Sequence, residues 1–371
     1  MIDKMTSNNE QKITELVKKT PILGLNRHLD EIGHLSSITL DKEECNLDIV
    51  LGFYDKELTH YKDFFSNLVR KNSEIGNINI NITSEVKSHS VQSALKPVAD
   101  VKNIIAVASG KGGVGKSTIA SNLAISLHQD GAKVGILDAD IYGPSLPLIF
   151  GVENERPTSN DGKRINPLIS YGVEVMSIGF LIDANKPTVW RGPMVTSALN
   201  QLLKQTVWGN LDYLIIDMPP GTGDIQLSLS QQVPVSGSII VTTPQNIALL
   251  DAKKGLEMFR KVSVPILGVV ENMSTHICSN CQQEETIFGD GGGEKLSSEY
   301  DIDLLCSLPL NSDVRQQTDN GEPSVISQPD SEYSVRFREG AKKMAINLAL
   351  SLIHISEPTR RTPISYAVFC L

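Results

Sequence analysis

The residues best suited to chemistry are gathered in Ser109-Gly110-Lys111-Gly112-Gly113-Val114-Gly115-Lys116-Ser117-Thr118. Gly110, Gly115, Lys116 and Ser117 satisfy G-x-x-x-x-G-K-[ST], where glycines let successive backbone N–H groups close around anionic oxygens. The lysine then meets the β- and γ-phosphates and the hydroxyl meets Mg²⁺. Gly110, Gly112 and Gly115 also satisfy the dinucleotide pattern G-x-G-x-x-G, with Asp138 at about the distance of a ribose-binding acid. Three features select the phosphate loop. A dinucleotide site has no use for both a lysine and a hydroxyl after the last glycine. An apolar run, 104–108, precedes the loop and a helical stretch follows it, so backbone N–H groups and the helix dipole converge on the same oxygens. Finally, Leu214-Ile215-Ile216-Asp217 is an apolar strand ending in a carboxylate, as a Mg²⁺ shell requires.

A second group is Cys278-Ser279-Asn280-Cys281. Two thiolates on one turn form a short chelate but supply only half of a four-thiolate site. A homodimer would bring two such pairs together and complete it. Two other readings stand beside this one: a structural zinc that adds His276 and a further ligand, and a thioredoxin-like redox pair. Cys306 lies in an apolar run and reads as a core thiol. Pro219-Pro220-Gly221-Thr222-Gly223-Asp224 is stiff and then flexible, which suits a switch that senses a γ-phosphate. Asp224 fits either that switch or a helix cap. Lys111 is an extra cation that an ordinary phosphate loop does not need; it is either functional or a solvated loop lysine.

These residues need elements to position them. At 371 residues the chain has room for two domains. After residue 102, short apolar runs at 104–108, 134–137, 213–216, 238–241, 266–270 and 304–308 alternate with helical stretches at 118–129, 194–206 and 248–262. That alternation predicts an α/β, doubly wound, mostly parallel sheet of the P-loop NTPase type, with ligands at the carboxyl ends of its strands. Before it, residues 1–83 predict a small α+β domain: a helix at 12–19 stopped by Pro21, strands at 35–40 and 47–53, a helix at 60–71 and a strand at 78–82. Residues 84–101 are expected to be a linker, and 102–349 the nucleotide-binding domain. From residue 350 the chain resembles translated library-adapter sequence; residues 350–371 are expected to be a non-native tail, with the natural C-terminus missing.

Composition narrows the function further. Hydrophobic content of 40% and charged content of 21% are those of a globular protein. No run approaches a membrane span, and the first residues lack a secretory h-region, so a cytoplasmic location is expected. Five cysteines do not make a disulfide framework, and a net charge of −9 disfavours nucleic acid as the main partner.

Lys111, directly after Gly110, is the mark of the deviant Walker A group, which includes MinD, ParA and the Mrp/ApbC-type iron–sulfur carriers. Residues 102–349 resemble the last of these most specifically. The resemblance lies in Asp140-Ile141-Tyr142-Gly143-Pro144-Ser145, Trp190-Arg191-Gly192-Pro193-Met194, the run from Asp217 to Asp224, Glu271-Asn272-Met273-Ser274, the cysteine pair, and Ile287-Phe288-Gly289-Asp290-Gly291-Gly292-Gly293. Residues 1–83 are similar to the iron–sulfur-assembly-associated domain often fused ahead of such ATPases, although Cys45 is followed by Asn46 where that domain often has Cys-Pro. The resemblance implies an ATP hydrolase in which Lys111 reaches across a homodimer to the partner's nucleotide, Lys116 holds the phosphates and Asp140 orients the attacking water. It implies a nucleotide site of Gly110, Lys111, Gly112, Gly113, Val114, Gly115, Lys116, Ser117, Thr118, Asp217 and Asn272, with Asn272 reading adenine. Ser117 and Asp217 would hold Mg²⁺, and Cys278 and Cys281 an iron–sulfur cluster, taken as [4Fe–4S], for delivery to apoproteins together with assembly factors. Neither nucleic acid nor membrane is an expected partner. The competing reading is a MinD- or ParA-like positioning ATPase with a structural zinc at its cysteines. It draws on residues 333–349, where Arg336, Arg338, Lys342 and Lys343 accompany Phe337, Met344 and Ile346 as in a membrane-surface helix; the same pattern also suits a last helix packed on the sheet.

Overall fold

The computed structural model describes residues 2–41, 44–73, 75–89, 95–141, 143–181, 192–278, 281 and 283–356. The first part contains α1 (Ile2–Lys19), α2 (Leu29–Ile32), β1 (Gly33–Leu40), β2 (Glu44–Leu51), α3 (Thr59–Asn72) and β3 (Asn77–Ser84). β2 lies between its neighbours, antiparallel to β1 and parallel to β3. Its period-two pattern turns Cys45, Leu47, Ile49 and Leu51 inward. Tyr61, Phe65 and Val69, four residues apart, give α3 a single apolar face that is buried. Burial pushes the Cys45 thiol up, away from reactivity.

The second part begins with β4 (Val101–Ser109), α4 (Lys116–Gln129), β5 (Val134–Asp138), α5 (Leu146–Ile149), β6 (Leu168–Ser170) and β7 (Val173–Ser177). It continues through α6 (Gly192–Gln205), β8 (Leu211–Asp217), α7 (Asp224–Gln232), β9 (Gly237–Thr242), α8 (Asn246–Lys261) and β10 (Ile266–Glu271). It closes with β11 (His276–Ile277), β12 (Glu284–Glu285), α9 (Gly292–Tyr300), β13 (Leu304–Ser307), α10 (Ser312–Asp319), α11 (Ser324–Ser327) and α12 (Glu332–Ser356). Among the described residues the main sheet runs β13-β10-β9-β4-β8-β5-β7-β6, parallel except for the β6 edge. β4 sits at its centre and is buried on both faces from Asn103 to Ser109, as a strand covered by helices on both sides must be. Because the strands are parallel, Ser109, Asp138, Asp217, Thr242 and Glu271 all end at one edge.

The structure differs from the sequence reading at β6 and β7, at the expected linker and at the expected start of the tail, and it decides between the two readings of residues 333–349. β6 and β7 were not expected, because the turn between them is Tyr171-Gly172. Both residues have positive φ there, and a tyrosine in that conformation is not a recognisable turn signal. The first residues of the expected linker are packed against their surroundings, while 95–100 are half-buried or exposed. Ser84 belongs to β3, the Glu85 amide donates to Leu51 O, and Val86 and His89 are buried. The membrane-surface reading of 333–349 is overturned: Phe337, Ala341, Met344, Ala345 and Leu348 are buried, and α12 packs on α4 and β13. Its cations are used locally, since Arg336 donates to Ser307 O at 2.7 Å. Among the described residues no helix is long and apolar enough to cross a membrane. α12 continues to Ser356, beyond residue 350 where the tail was expected to start, and residues 357–371 lie outside the described residues.

Lys342 of α12 also ties the two parts together. Its ammonium pairs with Asp55, which accepts the Tyr61 hydroxyl at 2.8 Å and the Glu57 amide at 2.9 Å. Burial pushes the Asp55 carboxyl up, but Lys342 and the two hydrogen bonds outweigh it and hold it below the ordinary value. A depressed carboxylate adds stability above its unfolded pKa and loses it as pH falls through the folded one. Lys342→Ala would leave that buried charge unpaired, at a cost of about 3 kcal/mol. Denaturant titration at neutral pH should show the loss, and acidification below about pH 4 should narrow the gap to wild type. A variant as stable as wild type would mean that the pair is not holding the two parts together.

Candidate nucleotide site and cysteine hairpin

The loop from Gly110 to Gly115 leaves the carboxyl end of β4, and α4 starts at Lys116. Gly115 has φ +83°, and a Cβ there would run into the Asn272 side chain. The helix therefore begins on a glycine because both the backbone and its neighbour demand one. Lys116 is buried and its ammonium pairs with Asp217 Oδ1, while the Ser117 hydroxyl lies 3.5 Å from the same ammonium. Asp217 closes β8 and is paired in register with Asp138 at the end of β5. Of two wholly buried carboxylates, Asp217 thus holds the lysine, and the lysine's charge also reaches Asp138. Burial pushes both pKa values up, and the charge of Asp217 adds to the effect on Asp138, which reaches about 7.

Asp138 is held by the amides of Asp140, Ser145 and Leu146 at 3.0, 3.0 and 3.1 Å, and by the Ser177 hydroxyl at 3.1 Å. Asp140, in the loop that follows, accepts from the Gly143 amide at 3.3 Å and its charge reaches Asp217. Asp217 Oδ2 is buried with no hydrogen-bond partner among the described residues. A carboxylate oxygen left in that state, beside a serine hydroxyl, fits a divalent cation. The Gly221 amide donates to Ser109 O at 3.0 Å, which pins the Pro219–Gly223 turn to the start of the phosphate loop. α7 then begins at Asp224 with Gly223 in the cap position; the Asp224 side chain lies outside the described residues. So do Tyr142, Trp190 and Arg191.

Lys111 is half-buried and donates to Gln245 Oε1 of its own chain at 3.1 Å. Asn272 follows β10; its amide nitrogen donates to Val114 O at 2.9 Å and its backbone N–H to Thr242 O at 2.8 Å. Val114 is buried, Thr118 half-buried, and Gly112 and Gly113 are exposed. The structure thus gathers Lys116, Ser117, Asp138, Asp140 and Asp217 into one cluster, with Asn272 against the loop's outer turn. Lys111 bonds Gln245 and none of these residues by the hydrogen bonds described.

Cys278 and Cys281 stand apart, in a hairpin on the same sheet edge. β11 and β12 pair antiparallel, and the Cys278 amide donates to Gln283 O at 3.0 Å. Cys278 is half-buried and Cys281 exposed, and neither is in a disulfide. His276, considered as a zinc ligand, has its Nδ1 within 3.3 Å of Leu310 O, which leaves Nε2 as its other ring nitrogen. Among the described residues no group of three or more His, Cys, Asp or Glu side chains is gathered to hold a metal. Each chain therefore presents two thiols. Cys306 is a core thiol, pushed up to about 12 mainly by burial.

The sequence reading missed Gln245 and Ser177, which belong to no local pattern. Asp138 and Glu271 lie inside its motifs, but their supporting roles show only through neighbours distant in the chain.

Residues 100–345 match the ParA family described as NUBPL iron-transfer P-loop NTPases. An iron-sulfur cluster carrier protein of Haemophilus influenzae is 44% identical over 347 residues, 93% of this chain and 94% of that protein. The protein of the same name from Escherichia coli K12 is 58% identical over 248 residues, 67% of each chain. Among solved structures, a nucleotide-binding protein from Archaeoglobus fulgidus in complex with ADP superposes with a TM-score of 0.56 at 36% identity, covering 63% of this chain and 91% of its own. With the central phosphate loop, the carboxylate cluster and the parallel sheet already described, these matches place the chain in the ParA family of P-loop NTPases, in its NUBPL iron-transfer branch.

Proposed function

We propose that the chain binds and hydrolyses ATP and carries an iron–sulfur cluster to apoproteins, with the cluster held by Cys278 and Cys281 of two copies. The observation that carries this reading is the hairpin that presents two thiols, and only two, on the edge where the phosphate loop opens. Two copies supply the four thiolates that a [4Fe–4S] cluster takes. The iron–sulfur carrier names of the relatives that this chain matches support the same cargo.

In the nucleotide site, the N–H groups of Gly110 to Ser117 surround the phosphates, and Lys116 moves its ammonium from Asp217 to the β- and γ-oxygens. Ser117 and Asp217 would hold Mg²⁺, which would supply charge neutralisation at those oxygens. Asp140 orients the water that attacks the γ-phosphorus; the bond to the β,γ-bridging oxygen breaks, ADP leaves with that oxygen negative, and the water's proton passes through the phosphate to solvent. Lys111 of the second copy adds transition-state charge, and Asn272 reads the adenine. The recipients are iron–sulfur apoproteins, the carrier acts in the cytoplasm, and neither membrane nor nucleic acid takes part. Residues 1–83 form an assembly-associated domain tied to the ATPase through Asp55 and Lys342, 84–101 connect it, and 102–349 form the ATPase.

The test is iron and acid-labile sulfide content, with the visible spectrum, after oxygen-free reconstitution of the chain and of its Cys278→Ala/Cys281→Ala variant. The expected result is one cluster per two chains with broad thiolate–iron absorption, absent from the variant. A colourless wild type, or a variant that loads equally well, would remove the carrier reading and leave a nucleotide switch.

A further inference from the structure

The loop that carries the two cysteines starts and finishes at one side chain. Glu271, the last residue of β10, is buried, and its two oxygens are both used. Oε1 accepts the Gly293 amide at 2.7 Å and Oε2 accepts the Ser307 hydroxyl at 2.8 Å. Residues 272–292 thus form a ring closed by Glu271, with Cys278 and Cys281 inside it. The closure is tight: a Cβ on Gly293 would lie 2.9 Å from both Glu271 Cβ and Leu304 Cδ1.

One residue further on, Asn272 bonds Val114 O inside the phosphate loop. From there the path continues toward the cysteines. Met273 has φ +57°, the Ser274 amide and hydroxyl both bond Leu308 O at 2.9 and 3.0 Å, and the Leu310 amide donates to Thr275 O at 2.6 Å. The Leu308 amide returns to Glu271 O at 2.8 Å. Every step from Val114 to the base of the cysteine hairpin is a covalent bond or a hydrogen bond, and Glu271 is the fixed point between them.

We propose that Glu271 is a positioning residue that couples the nucleotide site to the cysteine loop: it holds both ends of the loop so that a shift of Asn272 at Val114 moves the thiols. This rests on the carrier reading above for its cargo, but the coupling itself is a property of the loop. With Glu271 in place, nucleotide at the phosphate loop and cluster at Cys278 and Cys281 change each other's affinity. Because such coupling is reciprocal, it can be read from either side.

The test compares wild type with Glu271→Ala, Glu271→Gln and Gly293→Ala, using a non-hydrolysable ATP analogue with Mg²⁺. Two quantities are measured: hydrogen exchange of residues 274–290 with and without the analogue in cluster-free protein, and analogue affinity with and without a reconstituted cluster. In wild type the analogue should change exchange in the loop, and the cluster should change analogue affinity by about fivefold or more. Glu271→Ala should keep the cluster-free affinity while both responses collapse. Glu271→Gln keeps an acceptor for Gly293 and a donor for the Ser307 hydroxyl oxygen, so it should restore them. Gly293→Ala opens the same contact from the other side and decides the matter if Glu271→Ala does not fold. Loop responses that persist in both Glu271→Ala and Gly293→Ala, or a glutamine variant that behaves like alanine, would overturn the proposal. If wild type loads no cluster the carrier reading falls, and the exchange measurement still decides the coupling.

Discussion

Lys116→Ala is expected to bring ATP hydrolysis to background, a loss on the order of 10³-fold or more, because the phosphates lose their principal cationic partner at the moment charge builds up on them. The structure adds a second consequence. Lys116 is the ammonium paired with Asp217, which is itself in register with Asp138. Asp138 already titrates at about 7, through burial and the charge of Asp217. An acid whose folded pKa is raised contributes stability that is full below its unfolded value and lost as pH rises through the folded one. Wild type should therefore lose stability from about pH 4 to pH 7 at this site, and Lys116→Ala should lose more, with no ammonium left to offset the two carboxylates. Denaturant melts at pH 6 and pH 8 would show a wider gap between variant and wild type at the higher pH. Turnover at the wild-type rate in Lys116→Ala would end the phosphate-loop assignment, whatever its stability.

Lys111→Ala is expected to keep nucleotide affinity within a few-fold while hydrolysis falls on the order of 10³-fold, the scale of a cation supplied across an interface. Within its own chain Lys111 donates to Gln245. The catalytic role proposed for Lys111 is one exerted from a second copy. Mixing Lys111→Ala with Lys116→Ala distinguishes this from action within one chain. In the mixed dimer the Lys116→Ala subunit lends its intact Lys111 to the intact phosphate loop of the other, so activity should reappear although neither variant is active alone. No recovery in a dimer shown to have formed would remove the cross-subunit role. Gln245→Ala releases Lys111 and should leave hydrolysis undiminished.

Much of this could be read from residue order alone. The runs at 104–108, 134–137, 213–216, 238–241, 266–270 and 304–308 became β4, β5, β8, β9, β10 and β13, because a strand buried on both faces must be apolar along its whole length. The phosphate loop was legible because its requirements are local: glycines for backbone approach, then a lysine and a hydroxyl on the first turn of a helix. The β6–β7 hairpin was not, since Tyr171 adopts a positive φ that its side chain does not announce.

The residue types and spacing by themselves determined the sheet, the phosphate-binding chemistry and the two-thiol chelate. Each depends on neighbours within a few positions, where chain connectivity alone fixes geometry. Only the tertiary structure decided that Lys116 pairs with Asp217 beside Asp138, that Lys111 rests on Gln245, that α12 covers α4 instead of a membrane, and that Glu271 closes the cysteine loop onto Gly293 and Ser307. These partners lie tens of residues or more apart in sequence. Parallel strand order brings their carboxyl ends to one edge, and burial there makes each unpaired charge costly enough to select its partner.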